Sequence, residues 1–117
     1  MNDVPVNDSL FIIWSSPDPE VADNLVFMYA HNGIRQCWWD RVRLIIWGPS
    51  AKLVATNERI RKQLNEMEND GVEVWVCRAC ADSYGITDEL EQAGFTVFHV
   101  GQATTEMLKA GWKNLTF

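Results

Sequence analysis

No apolar run in this chain is long enough to cross a bilayer. Apolar stretches such as residues 10–14 and 44–47 stop after five and four residues, where a membrane-spanning helix needs about 20. Basic residues are also scarce, with 10 Lys and Arg against 16 Asp and Glu and a formal net charge of −6. Phosphate recognition needs a basic footprint, so nucleic-acid binding is not expected. There is no G-x-G-x-x-G and no Walker sequence, which removes the usual support for nucleotide binding. Residues 1–8 carry no positive charge and no apolar segment, so no export signal is read and a cytoplasmic setting with reduced thiols is expected. Linkers, internal repeats and low-complexity stretches are absent. Three cysteines, Cys37, Cys77 and Cys80, are too few for a disulfide framework. The C-x-x-C formed by the last two points to thiol chemistry before structural bridging.

What is present suits one globular domain. The 117 residues are 47% hydrophobic, spread along the whole length and sufficient for a single core. Short β-rich runs at 9–15, 42–47, 72–77, 95–100 and 113–117 alternate with helix-period segments. The first run, S-L-F-I-I-W-S, is nearly continuous in apolar residues, as in a parallel strand covered on both faces. Asp18-Pro19-Glu20 opens a helix with an N-cap, a proline at the first position and an acid in the first turn. Val21, Leu25 and Met28 then recur at helical spacing, and Gly33 is read as the end. After the second run, Gly48-Pro49-Ser50 makes a turn with Ser50 as N-cap. The helical region to about Asn69 is expected to break at Thr56 and Asn57. Ile60, Leu64 and Met67 form its buried stripe, with Gly71 as the closing cap. Two short helices follow, over 77–84 and from Thr87 to Gly94, and a last one over 104–110. This alternation predicts right-handed crossovers and a parallel sheet with helices on both faces.

In open α/β sheets, sites gather at the carboxyl ends of the strands. Here those ends carry Ser15-Ser16, Gly48-Pro49-Ser50, Cys77-Arg78 and Gly101-Gln102, and cysteine is the one strong nucleophile among them. A cysteine where a strand hands over to a helix feels the positive end of the helix dipole, and Arg78 adds to that field. The bland alternative is a small buried hydrophobe, which cysteine often is. Cys80, one turn on, either resolves a modified Cys77 or packs. Cys37, beside Trp38 and Trp39, reads as core, as does His99 among apolar neighbours. Cys77, Cys80, His31 and His99 lack standard zinc spacing, so no metal and no cofactor are expected. Six tryptophans are many for this length. Trp75 shares a strand face with Cys77, and the tryptophans read as core, as an apolar pocket or as a subunit contact.

Residues 72–86, V-E-V-W-V-C-R-A-C-A-D-S-Y-G-I, together with W-G-P-S-A at 47–51 and T-E-M-L-K-A-G-W-K-N-L-T-F at 105–117, resemble the DsrE/DsrF-like family over essentially the whole chain. The resemblance implies a three-layer α/β/α sandwich with a five-stranded parallel sheet and assembly as a homotrimer or hexamer. In the family's TusD-like sulfur carriers the active cysteine ends the third strand and a glycine follows eight residues later, as Cys77 and Gly85 do here. A YchN-like branch carries C-x-x-C with a glycine five residues after the second cysteine, as Cys80 and Gly85 do. The chain departs from the TusD-like pattern at Cys80, where a small residue is expected, and at Ser83-Tyr84, where a basic pair is expected. Both cysteines are carried over as catalytic candidates, Cys77 as the sulfur-bearing one. Ser15, Gly48, Ser50, Arg78, Tyr84 and Gly85 are the candidate binding positions around them.

The leading expectation is a sulfurtransferase-type carrier that takes sulfane sulfur as a cysteine persulfide from a protein donor and passes it to a protein acceptor. A dithiol redox protein using Cys77 and Cys80 is one alternative. A non-catalytic oligomeric binding module, in which the cysteines only pack, is another.

Overall fold

All five β-rich runs become strands: β1 Ser9–Trp14, β2 Arg41–Ile46, β3 Glu73–Cys77, β4 Thr96–Phe98 and β5 Lys113–Thr116. The computed structural model describes residues 8–117. Residues 1–7, on which the reading of an absent export segment rests, lie outside the described residues. The strands pair in the order β4-β3-β2-β1-β5 and every pair is parallel. Among the described residues no helix is long and apolar enough to cross a membrane.

The helices follow their local signals with a few corrections. Asp18 caps α1 Pro19–Val21 by accepting the Glu20 N–H at 2.9 Å. A π-helical turn, Ala22–Val26, then leads into α2 Phe27–Arg35. That wider turn shifts the inward positions by one residue, to Ala22, Val26, Phe27 and Ala30, and leaves Leu25 and Met28 43% and 53% exposed. Gly33 does not end the helix. It lies buried inside α2, where a Cβ would sit 3.2 Å from Trp39 Cδ1 and 3.3 Å from Val42 Cγ2, so glycine there permits close approach to the sheet. The expected break holds: α3 Ser50–Thr56 and α4 Glu58–Asn69 meet at Asn57, whose side chain accepts the Ile60 N–H. Ser50 is the first residue of α3 and not its cap; its hydroxyl turns back to donate to the Trp14 carbonyl. The chain continues through α5 Arg78–Tyr84, α6 Thr87–Gln92 and α7 Gly101–Lys109. The last starts three residues earlier than its periodicity suggested.

Helices lie on both faces but unequally. Leu10, Ile12, Trp14, Leu44, Ile46, Val74 and Val76 point into the main core, where α1 to α6 supply Val26, Phe27, Val54, Ile60, Leu64, Ala81 and Leu90. The opposite face carries Phe11, Ile45 and Cys77, covered by α7 through Val100 before it and Met107 within it. One nine-residue helix cannot cover a five-stranded sheet. Ile13, Trp47, Trp75, Phe98 and Trp112 therefore remain half-buried on that side. Arg43 sits among them with its guanidinium 4.0 Å from the Trp75 ring centroid and 4.8 Å from that of Trp112. It donates to Glu73 at 2.6 and 3.1 Å. This buried charge is thereby paired and stacked, the condition under which a guanidinium is tolerated there.

Two core expectations fail. Cys37 is exposed with φ +57, because the chain leaves α2 there through a left-handed residue that lets Trp38 and Trp39 donate to the Gly33 carbonyl. His99 is exposed just past β4, which ends at Phe98.

Candidate functional site: a dithiol at the carboxyl end of β3

Cys77 ends β3 with extended backbone (φ −67, ψ 117), and Arg78 begins α5. This short helix closes at Gly85, whose φ of +70 supplies the left-handed cap. Cys77 is only 4% exposed, set among Phe11, Ile45, Val100 and Met107. Cys80, three residues on, lies on the same side of α5 and packs on that cluster while remaining half-exposed. Residues spaced i, i+3 at a helix start are neighbours, and the two thiols are close enough for each to act on the other.

A third group completes the site. The Gly48 N–H donates to Cys80 Sγ at 3.2 Å. Gly48 has φ +92, a conformation that favours glycine. The 47–50 turn is held against β1 by three bonds: Trp47 N–H to the Trp14 carbonyl (3.1 Å), Ser50 N–H to the Ser15 carbonyl (2.9 Å), and Ser50 Oγ to the Trp14 carbonyl. Burial pushes the Cys80 thiol above its ordinary value, and its contact with Cys77 adds to this, while the Gly48 N–H pulls in the opposite direction. An N–H aimed at sulfur favours the anionic form, whether thiolate or persulfide.

The other candidate positions serve the scaffold. Ser15 donates through both its N–H and its hydroxyl to the Phe117 carbonyl, at 2.6 and 3.2 Å. Arg78 turns away from the thiols to Glu91 and the Val97 carbonyl, both at 3.4 Å. Tyr84 packs on the main core beneath Lys52, whose Nζ is 4.5 Å from the ring centroid. Of the six candidate binding positions, Gly48 is the one seen to contact a thiol. That contact joins the turn after β2 to α5, so neither segment's local pattern reveals it. The half-buried aromatics beside the thiols were signalled by the tryptophan count and by the alternation that puts Trp75 on the face of Cys77. No group of three or more His, Cys, Asp or Glu is placed to hold a metal ion among the described residues.

The strand order reverses between β1 and β5, where open α/β sheets usually place their ligand crevice. Here the Phe117 backbone fills that position, accepting from the Ser15 and Ser16 N–H groups and donating to the Ile13 carbonyl. The dithiol instead lies at the end of β3, an interior strand.

A family model described as DsrE/DsrF-like matches residues 9–117. The chain belongs to the DsrE/DsrF-like family. Among solved structures, a conserved protein of unknown function from Bacteroides thetaiotaomicron is 33% identical with a TM-score of 0.91, covering 99% of this chain and 100% of its own. A protein of unknown function from Methanobacterium thermoautotrophicum is 14% identical with a TM-score of 0.76, over 93% and 97% of the two chains. The YchN protein of E. coli is 18% identical with a TM-score of 0.65, over 95% and 99%. These last two likenesses establish the shared DsrE/DsrF-like fold. No curated protein matches the chain.

Proposed function

We propose that this DsrE/DsrF-like protein carries sulfane sulfur as a persulfide on its Cys77/Cys80 dithiol and relays it to a protein acceptor. The observation that carries the reading is the Gly48 N–H bonded to Cys80 Sγ beside a second, buried thiol. A purely packing cysteine has no need of a backbone donor, whereas a sulfur that cycles between thiol, thiolate and persulfide is stabilised by one. Resemblance to TusD-like carriers favours Cys77 as the carrier. The exposures favour Cys80 as the thiol a protein donor reaches, because Cys77 is 4% exposed and attack on a donor's terminal sulfur requires access. We therefore assign loading to Cys80.

The test is to incubate wild type, Cys77→Ser and Cys80→Ser with a persulfide-charged cysteine desulfurase and read intact mass. A gain of one sulfur atom in Cys77→Ser, absent in Cys80→Ser, supports the carrier. Loading in none, or equally in all three, refutes it.

A homotrimer or hexamer is proposed as the working form. The half-buried Trp47, Trp75, Phe98 and Trp112 occupy the sheet face that α7 leaves open and adjoin Cys77 and Cys80. Interface cores are enriched in such aromatics, and closed symmetry is the common outcome. Size exclusion with light scattering reading a monomer at micromolar concentration refutes this assembly.

A further inference from the structure

The two thiols differ in a way that a simple carrier does not require. Cys80 is half-exposed and held by the Gly48 N–H, while Cys77 is buried in the apolar cluster on which Cys80 packs. Cys37 lies in the loop leading to the opposite, amino-terminal end of β2, so among the described residues Cys80 is the one cysteine within reach of Cys77. From this arrangement we infer that Cys77 is a built-in discharging thiol: it attacks Cys80 Sγ once that sulfur bears a sulfane sulfur, and so releases hydrosulfide. This discharge presupposes the persulfide loading proposed above.

The step balances without an outside oxidant. Cys77 Sγ forms a bond to Cys80 Sγ as the bond from Cys80 Sγ to the outer sulfur breaks. The electron pair of the broken bond leaves with the outer sulfur, and the proton of the Cys77 thiol passes to it. A Cys77 thiol and a Cys80 persulfide anion thus become a Cys77–Cys80 disulfide and HS⁻, with one negative charge before and after. The sulfane sulfur is reduced and the dithiol is oxidised. A dithiol reductant returns the protein to its starting state by exchange.

The geometry suits each requirement. Disulfides need Cα atoms within about 7 Å, and i, i+3 positions at a helix start bring side chains to about 5–6 Å. The Gly48 N–H fixes the sulfur under attack at 3.2 Å. Holding the attacking thiol against its target makes the reaction intramolecular, which favours it over attack by a free thiol. Burial of Cys77 keeps it from reacting with external electrophiles while the protein waits to be loaded.

Two experiments, both in a Cys37→Ser background, test this. In the first, protein loaded by a persulfide-charged desulfurase is desalted and followed by intact mass and hydrosulfide release. With both thiols present, one hydrosulfide per chain is expected, together with a product two hydrogens lighter than the reduced protein. Cys77→Ser is expected to keep its sulfur. Retention equal to that of Cys77→Ser, or equal release from both, overturns the discharge; failure of every variant to load overturns the persulfide reading as well. The second experiment runs the step backwards and needs no donor protein. Diamide treatment is expected to remove two hydrogens, and sodium sulfide then to open the disulfide and leave one added sulfur on the Cys80 peptide. No two-hydrogen loss, or added sulfur confined to Cys77, overturns the discharge even where desulfurase loading succeeds.

Discussion

Replacing Gly48 by alanine separates the electrostatics of the site from its packing. Space is not the obstacle, since a Cβ at this position meets only Ser15 Cβ at 3.5 Å. The obstacle is φ +92, which costs an L-residue about 1–2 kcal/mol. The chain relieves this by rotating the 47–48 peptide, which takes the Gly48 N–H off Cys80 Sγ. Hydrogen bonds to charged groups are worth about 1.5–3 kcal/mol, and a half-exposed sulfur acceptor reduces that to about 1 kcal/mol. A loss of this size lowers the thiolate fraction about five-fold at neutral pH. The remaining thiolate is more nucleophilic, with a Brønsted coefficient of about 0.4–0.5 that returns roughly two-fold. Iodoacetamide labelling of Cys80, followed by peptide mass in a Cys37→Ser background, is therefore expected to slow about two- to three-fold. Gly94→Ala is the control, because Gly94 has φ +94 with nothing within 4 Å of its Cβ. It is expected to lose similar stability in urea and to leave labelling unchanged. Equal labelling of Gly48→Ala and wild type, with stability reduced in both glycine variants, refutes the claim that the N–H tunes Cys80.

Three further outcomes follow from the scaffold. Glu73→Gln strands the buried Arg43 and is expected to cost about 2 kcal/mol, less than the roughly 3–5 of a fully buried pair because Glu73 is part-exposed; in an Arg43→Met background the same change is expected to cost under about 0.5 kcal/mol, and additive urea midpoints refute the pairing. Hydrogen bonds from His31 chiefly, with Arg35 assisting against the opposing effect of desolvation, hold the Asp70 carboxyl below its ordinary value; a depressed carboxyl contributes stability above the unfolded value of about 3.9 and loses it as pH falls through the folded value, so Asp70→Asn should be less stable than wild type at neutral pH and converge with it in acid. Gly33→Ala is expected to cost about 1–3 kcal/mol by overpacking, since its Cβ contacts of 3.2 and 3.3 Å involve Trp39 and a Val42 fixed in β2, and an unchanged thermal midpoint refutes that.

The strands and caps were legible in the sequence because their signals are local. The Asp18 cap, the Asn57 break and the Gly71, Gly85 and Gly94 closures each reside within a few residues, and five β-rich runs separated by helices leave few topologies open. The failures came from backbone conformation or from packing partners that hydrophobic spacing does not report. Gly33 read as a stop because glycine usually is one, whereas here it makes room for Trp39 and Val42. Leu25 and Met28 recur at helical spacing, but a π turn sets the inward positions one residue away. Cys37 read as core by its tryptophan neighbours, though backbone conformation turned it outward. Cys77 and Cys80 were found from C-x-x-C at the strand end, but their difference in exposure and the Gly48 donor arise from the third dimension.

The location of the dithiol has a physical explanation in the strand order. A sheet ordered β4-β3-β2-β1-β5 opens a crevice between β1 and β5, and Phe117 closes it with backbone bonds to Ile13, Ser15 and Ser16. Those bonds take up the backbone N–H groups of Ser15 and Ser16 that a ligand would otherwise meet. The turn after β2 is different. Its Trp47 and Ser50 are tied back to β1, and Gly48 alone is left to direct its N–H forward, across to α5. Chemistry at this rim therefore depends on what side chain α5 presents to that donor, and the chain presents a cysteine with a second thiol behind it. A serine at position 80 would keep the hydrogen bond while removing the sulfur, so Cys80→Ser should retain the fold and the urea midpoint of wild type and lose sulfur loading. A Cys80→Ser protein that still loads would place the working sulfur at Cys77 and return Gly48 to a purely structural role.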